Sequence, residues 1–249
     1  MKSFEVEGYT LPEVYHTALW RLFIEGERVL CPDYNTAQYE CSMTMVVYRP
    51  LAEPMISRLF PGGPRELEQY RQEMLDGILD FEIEQGNWDY TYHSRIAKQL
   101  PWLIEELKRN PYSRRAVIDV RDTEHDAESD SPACLQHIQY LIRDGALHCC
   151  VLFRSNDAVK ATFMNAFALI MLQKRIADEL GLDVGKYIHR VNSFHCYEKD
   201  YKTLRGYAQR ICDERDPVYF YEGDWKELME ESKEEIAKQV EELKNREQA

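Results

Sequence analysis

The chain has 249 residues, of which 44% are apolar and 30% charged. That length fits one large domain, spanning 1–249, or two small ones, with a proper core, and the composition is too apolar for a disordered chain. With 31 basic against 44 acidic residues the formal charge is −13, which argues against general nucleic-acid binding but leaves room for a local basic pocket, and no apolar run reaches membrane-spanning length.

Leu11 to Gly26 reads as a helix, with Val14, Ala18, Leu19, Leu22 and Phe23 at helical spacing and Gly26 as the stop. Tyr39 to Tyr48 alternates as a strand does. Phe60 to Pro64 is a loop, and Arg65 to Gly77 carries Leu67, Tyr70, Met74 and Leu75 on one helical face. A helix is predicted from about Ser94 to Arg109, closed by Asn110-Pro111. Ala116 to Val120 is a short strand and Thr123 to Ser131 a loop. Leu135 to Ile142 and Ala146 to Phe153 pair as strands through a turn at Arg143-Asp144-Gly145. Phe163 to Leu180 is a buried helix ended by Gly181, Tyr187 to Tyr197 is β-rich, and about 224–247 forms a charged amphipathic helix. Strands and helices without a βαβ rhythm place the chain in the α+β class, a mixed β-sheet with flanking helices.

Seven cysteines, an odd number without C-x-x-C spacing, suggest neither a zinc site nor a redox pair. A reduced, cytoplasmic protein without a metal is expected. The first 20 residues carry Glu5, Glu7 and Glu13 and read poorly as a secretory signal.

Cys134 directly precedes a strand, and the next strand ends in Arg154-Ser155-Asn156-Asp157. If the two strands pair, Arg154 returns to the neighbourhood of Cys134, where a guanidinium favours a thiolate and clamps a phosphate. Ser113-Arg114-Arg115 is a second basic cluster. His195 and Tyr197, two apart in a strand, share a face. Each feature alone is equally at home as a buried thiol, a solvated face or a core pair.

Several short motifs in one order resemble the thymidylate synthase family, which includes the pyrimidine nucleotide hydroxymethylases. They are N-P-Y-S-R-R at 110–115, S-P-A-C at 131–134, Q-Y-L-I-R-D-G at 139–145, R-S-N-D at 154–157, Asn165, and H-C-Y at 195–197. Their intervals match without a gap. The resemblance is closest to short archaeal-type and phage or biosynthetic members.

The resemblance implies a homodimer formed through the sheet. It implies one-carbon transfer from 5,10-methylenetetrahydrofolate to carbon 5 of a pyrimidine nucleoside monophosphate, with Cys134 adding to carbon 6. Arg154, Ser155 and Asn156 then belong to the nucleotide site of the same subunit, and Arg114 and Arg115 reach the partner's site. His195 and Tyr197 hold the sugar 3′-hydroxyl, and Asp157 organises waters and the pterin. Asn165 reads the base, and an amide rather than a carboxylate there tilts the choice toward uracil. Glu66, with Glu68 as competitor, matches the acid/base carboxylate, and Tyr92 an active-site tyrosine. Thymidylate formation from deoxyuridylate leads. A CMP or dCMP hydroxymethylase is the alternative, and a catalytically silent nucleotide-binding regulator a further one. No DNA or membrane partner is implied.

Departures from the family pattern fall on both sides of the site. Leu135 stands where common bacterial members have histidine, Phe153 replaces a glutamine, and Lys160 to Met164 replaces a Gly-Leu-Pro-Phe-like stretch. Asn192-Ser193-Phe194 replaces Gly-Asp-Ala. Cys31 to Asn35 stands in the place of an arginine-bearing phosphate loop, for which Arg28 is a possible substitute. A Lys-Glu-rich helix stands where an apolar tail would close over folate. Water then competes with hydride at the exocyclic methylene, which separates a hydroxymethyl from a methyl product.

Overall fold

The computed structural model describes residues 1–213 and 217–246. In chain order it runs β1 (Ser3–Gly8), α1 (Leu11–Glu25), β2 (Glu27–Cys31), a 3₁₀ turn Pro32–Tyr34 and β3 (Thr36–Val47). It continues β4 (Ile56–Ser57), α2 (Pro64–Asp76), α3 (Phe81–Glu84), α4 (Tyr92–Ile96), α5 (Leu100–Arg109) and β5 (Val117–Asp119). Then come β6 (Leu135–Arg143), β7 (Ala146–Asp157), α6 (Thr162–Leu180), β8 (Asp183–Tyr197), α7 (Tyr201–Cys212), β9 (Val218–Tyr219) and α8 (Lys226–Arg246).

A seven-stranded mixed sheet in the order β1-β3-β8-β7-β6-β5, with β2 added to β3, forms the scaffold. Its centre is a parallel β7–α6–β8 unit flanked by antiparallel pairs. The β6–β7 hairpin turns at Asp144-Gly145, both with positive φ (51° and 78°). That conformation matches a two-residue hairpin turn. One face of the strands is core: Ile138, Tyr140, Leu147, Val151, Phe153, Tyr187 and Val191 are buried under α6, which is itself buried along most of its length. On the opposite face Val46, Cys150 and Ile188 run across neighbouring strands and are half-buried.

The predicted helix over 94–109 is two helices. Pro101 cannot donate to Ala97 and its ring crowds that carbonyl, so α5 begins there instead of continuing α4. Strand β7 runs on to Asp157, and β8 starts at Asp183. Both extensions follow from the parallel pairing, which the short β-rich stretches did not reveal. The charged helix spans Lys226–Arg246 and docks on α2, where Arg65 Nε donates to Glu235 Oε1 at 3.0 Å. Ile236 and Val240 bury against Leu79. Residue 247 of that expected helix lies outside the described residues. Among the described residues no helix is long and apolar enough to cross a membrane.

Candidate active site

The carboxyl ends of parallel β7 and β8 lie in register, Ser155 beside Ser193 and Asp157 beside His195. A crevice at the carboxyl ends of parallel strands is where an open sheet exposes side chains from several elements together. The start of β6 joins them from the other side. Arg154 N donates to Cys134 O at 2.8 Å, so the hairpin brings Arg154 back to Cys134 as its sequence position implied. A bulge between Leu135 and His137 bends β6 next to the thiol.

The guanidinium of Arg154 is fixed from behind. Nε donates to Ala133 O at 3.1 Å, Nη2 to Pro132 O at 2.8 Å, and Nη1 to Ser155 Oγ at 3.3 Å. Ser155 Oγ is also 3.4 Å from Cys134 Sγ. Thiol, hydroxyl and guanidinium thus form one connected group, in which an anion would be met by preset donors.

Asp157 lies at the end of β7. Its Oδ1 accepts from Val159 N (3.0 Å) and Lys160 N (2.9 Å), while burial raises its pKa above the ordinary aspartate value. Asn156 Oδ1 accepts from Thr162 Oγ1 (3.0 Å) and lies 3.1 Å from Nε2 of buried His189. His195 Nδ1 is 3.1 Å from Ser193 O, which leaves Nε2 for the cavity, and its ring meets Tyr197 edge-on at 4.9 Å. Asn165 stands on the first turn of α6, and the Tyr70 hydroxyl from α2 donates to its Oδ1. Leu135 N donates to the Tyr92 hydroxyl at 3.3 Å, which seats that ring against the peptide after Cys134.

These groups line one cavity of about 500 Å³: Cys134, Arg154, Ser155, Asn156, Asp157, Asn165, His195, Tyr197 and Tyr92 all contribute. Sequence reasoning did not assign Tyr70, Gln38, Ser193 or the Cys31–Tyr34 turn to it, although the last was marked as a departure. Tyr70 was legible only as part of an apolar stripe. Gln38 carries no motif, Ser193 was marked only as part of the departure at 192–194, and it is the β3–β8 pairing that brings them together.

Five residues singled out in the sequence lie outside this cavity, two of them, Arg114 and Arg115, being expected to serve a partner's site. Glu66 is the third residue of α2, and its carboxylate accepts from Gly63 N at 2.8 Å, a helix-capping bond that lowers its pKa. Its competitor Glu68 is buried and held by both arms of Arg71, at 2.8 and 2.7 Å. Arg114 and Arg115 are exposed on the turn before β5, outside the cavity of their own chain. Arg28 pairs in two-pronged fashion with Glu198, also outside the cavity lining.

A second cavity of about 410 Å³ adjoins the first, and Tyr70 and Tyr92 line both. Trp88, Tyr90, Glu73 and Asp89 are among its other walls. The Arg95 guanidinium lies 3.9 Å above the Tyr90 ring and pairs with buried Asp126 at 2.7 Å, which fixes this aromatic wall. Burial raises the pKa of Glu73 and pushes the Tyr90 hydroxyl up to about 12. A hollow walled by flat rings, with the carboxyl groups of Glu73 and Asp89 among its lining, suits a flat heteroaromatic body that carries N–H donors.

The thymidylate synthase family model matches residues 66–247. A chain from Methanocaldococcus jannaschii named "Putative thymidylate synthase" is 34% identical over 157 residues, covering 59% of this chain and 71% of that one. The thymidylate synthase of Bacillus subtilis subsp. natto is 30% identical over 146 residues, 57% of this chain and 51% of its own length. Among solved structures, the thermostable thymidylate synthase A from Bacillus subtilis superposes with a TM-score of 0.66 over 80% of this chain and 84% of its own, at 18% identity. That likeness establishes the mixed-sheet fold.

Proposed function

The chain belongs to the thymidylate synthase family, and from that premise we propose that it converts deoxyuridylate to thymidylate with 5,10-methylenetetrahydrofolate as donor. The observation that carries this reading is the convergence of Cys134, Arg154, Ser155, Asn165, His195 and Tyr197 on one cavity. The Cys134 thiolate adds to carbon 6 of the base, and the displaced electron pair makes carbon 5 nucleophilic. Arg154 and Ser155 hold the phosphate, together with Arg114 and Arg115 of a second copy. His195 and Tyr197 meet the sugar, and Asn165 meets the base. Asp157, raised in pKa by burial, exchanges protons with water within the first cavity.

The second cavity is the place for folate, since Trp88, Tyr90 and Tyr92 offer ring faces and Glu73 and Asp89 offer acceptors. Methylenetetrahydrofolate would supply there a one-carbon unit and, for a methyl product, the hydride that reduces it. One observation favours a hydroxymethyl product instead. Helix α8 packs on α2, and none of its described residues lines either cavity, so it does not itself exclude water from carbon 5.

The test is tritium release from carbon-5-labelled uridine and cytidine monophosphates in both sugar forms, with methylenetetrahydrofolate and mass spectrometry of the product. Release from deoxyuridylate that is lost in Cys134→Ser supports the reading, and the product mass separates methyl from hydroxymethyl. Glu66→Gln in the same assay isolates that carboxylate. As an acid/base its loss lowers turnover by about 100-fold, whereas a helix cap tolerates glutamine. Binding without release from any nucleotide refutes the enzyme and leaves a nucleotide sensor.

A further inference from the structure

An asparagine at the base edge does not by itself choose a pyrimidine. Uracil presents a carbonyl oxygen next to an N–H, and cytosine presents an amino group next to a lone pair. The same amide satisfies either one after a half-turn about its terminal torsion. Selectivity therefore depends on what holds the amide from behind.

Here that group is Tyr70. Its hydroxyl donates to Asn165 Oδ1 from the middle of α2, across to the first turn of α6. Asn165 is 4% exposed, its helix turn is set by its own N–H on Ala161 O, and both residues line the cavity that contains Cys134. Among the described residues, Asn165 is the partner of that hydroxyl. Burial keeps the phenol protonated, a donor at every working pH. Turning the amide would withdraw its acceptor oxygen from the half-buried Tyr70 hydroxyl and put an N–H donor in its place, so the hydrogen bond across α2 and α6 would be lost.

We propose that Tyr70 is a positioning residue that holds the Asn165 amide in one orientation and thereby makes the cavity selective for the uracil edge over the cytosine edge. This rests on the nucleotide reading above and adds a determinant to it. Tyr70 does not touch the reacting carbons; it acts through Asn165.

The experiment is calorimetric titration of the full chain with deoxyuridine monophosphate, deoxycytidine monophosphate and deoxyribose 5-phosphate, for the wild type, Tyr70→Phe and Asn165→Ala. The wild type is expected to bind the uracil nucleotide at least about tenfold more tightly than the cytosine one. Tyr70→Phe is expected to bring that ratio near one while leaving deoxyribose 5-phosphate affinity unchanged, a control that a loosened fold would fail. Asn165→Ala removes the same ratio. A ratio retained in Tyr70→Phe overturns the role of Tyr70 and leaves the nucleotide reading standing. A wild type that prefers the cytosine nucleotide, or discriminates between neither, overturns the assignment whether or not the variants fold. A wild type that binds neither nucleotide refutes the nucleotide reading, and this inference with it.

Discussion

His189 shows how the core supports the cavity one residue at a time. It is fully buried, 2.8 Å from the Tyr187 hydroxyl and 3.1 Å from Asn156 Oδ1, with its ring stacked on Phe153 at 4.7 Å. Burial lowers its pKa from 6.5 to about 3, and that of His16, beside Ser57, to about 4. Both are neutral in the folded protein, while the unfolded chain protonates them below about pH 6.5. The unfolded state then binds more protons, so stability falls as the pH drops from about 6.5, through about 4 for His16 and about 3 for His189. The pair is expected to lose about 2–3 kcal/mol between pH 7 and 5.5, and His189→Gln to remove about half of that loss. Urea titrations at the two pH values check this, and an unchanged pH dependence in His189→Gln would refute it. Comparison with the variant cancels Asp157 and Glu73, whose raised pKa values act in the opposite direction. At this scale Cys134 and Arg154 were legible because a hairpin turn lies between them. Tyr70 and His189 were not, because an aromatic or imidazole ring on an apolar stripe looks the same whether it only fills space or also orients an amide.

Elements with a buried stripe and a marked end were readable, and those without one were not. Helix α1 has Thr10 and Glu13 as a capping box and Gly26 as its stop, and α6 ends at Gly181 in the left-handed conformation. Strand β2 has no buried residue at all, so no alternation marks it, and its place comes from pairing with β3. Gly77, which ends α2, joins element and site. It has φ +65°, and a Cβ there would lie 2.2 Å from His93 Nδ1 and 2.7 Å from Asp80 Oδ2. Those two atoms are bonded to each other at 2.7 Å and brace the segment that carries Trp88 to Tyr92. Gly77→Ala is therefore expected to destabilise the protein by at least about 2 kcal/mol, combining left-handed strain with a broken pair. Gly206 in α7 has open space where its Cβ would point, and Gly206→Ala should instead stabilise by about 0.5–1 kcal/mol. Denaturant midpoints of the two variants separate the cases, and equal effects would contradict the geometric account.

At the scale of the whole molecule, the outward face of the sheet and the position of Arg114 and Arg115 point the same way. Val46, Cys150, Leu152 and Ile188 lie half-buried on that face, and the two arginines lie off their own cavity. Both fit a second copy docked through the sheet, which lends its arginines to the first. Mixing Cys134→Ser with an Arg114→Ala/Arg115→Ala chain, each inactive alone, should then restore about a quarter of wild-type tritium release, because half of the dimers are mixed and each holds one whole site. No recovery after exchange of subunits would refute sharing. Fold class was readable from the sequence at this scale, but the two hollows and their common partition were not, because α2, α4 and β6 come together there only after folding. Tyr70 and Tyr92 form that partition, and they are side chains rather than backbone. Each ring is tied to the nucleotide side, Tyr70 to Asn165 and Tyr92 to Leu135 N, so a guest that displaces either ring in one compartment alters the wall of the other. The first guest sets where the rings stand, and the second binds a surface already shaped for it. Linkage makes that help mutual. A guest in either compartment therefore changes the affinity of the other by one common factor, whichever arrives first.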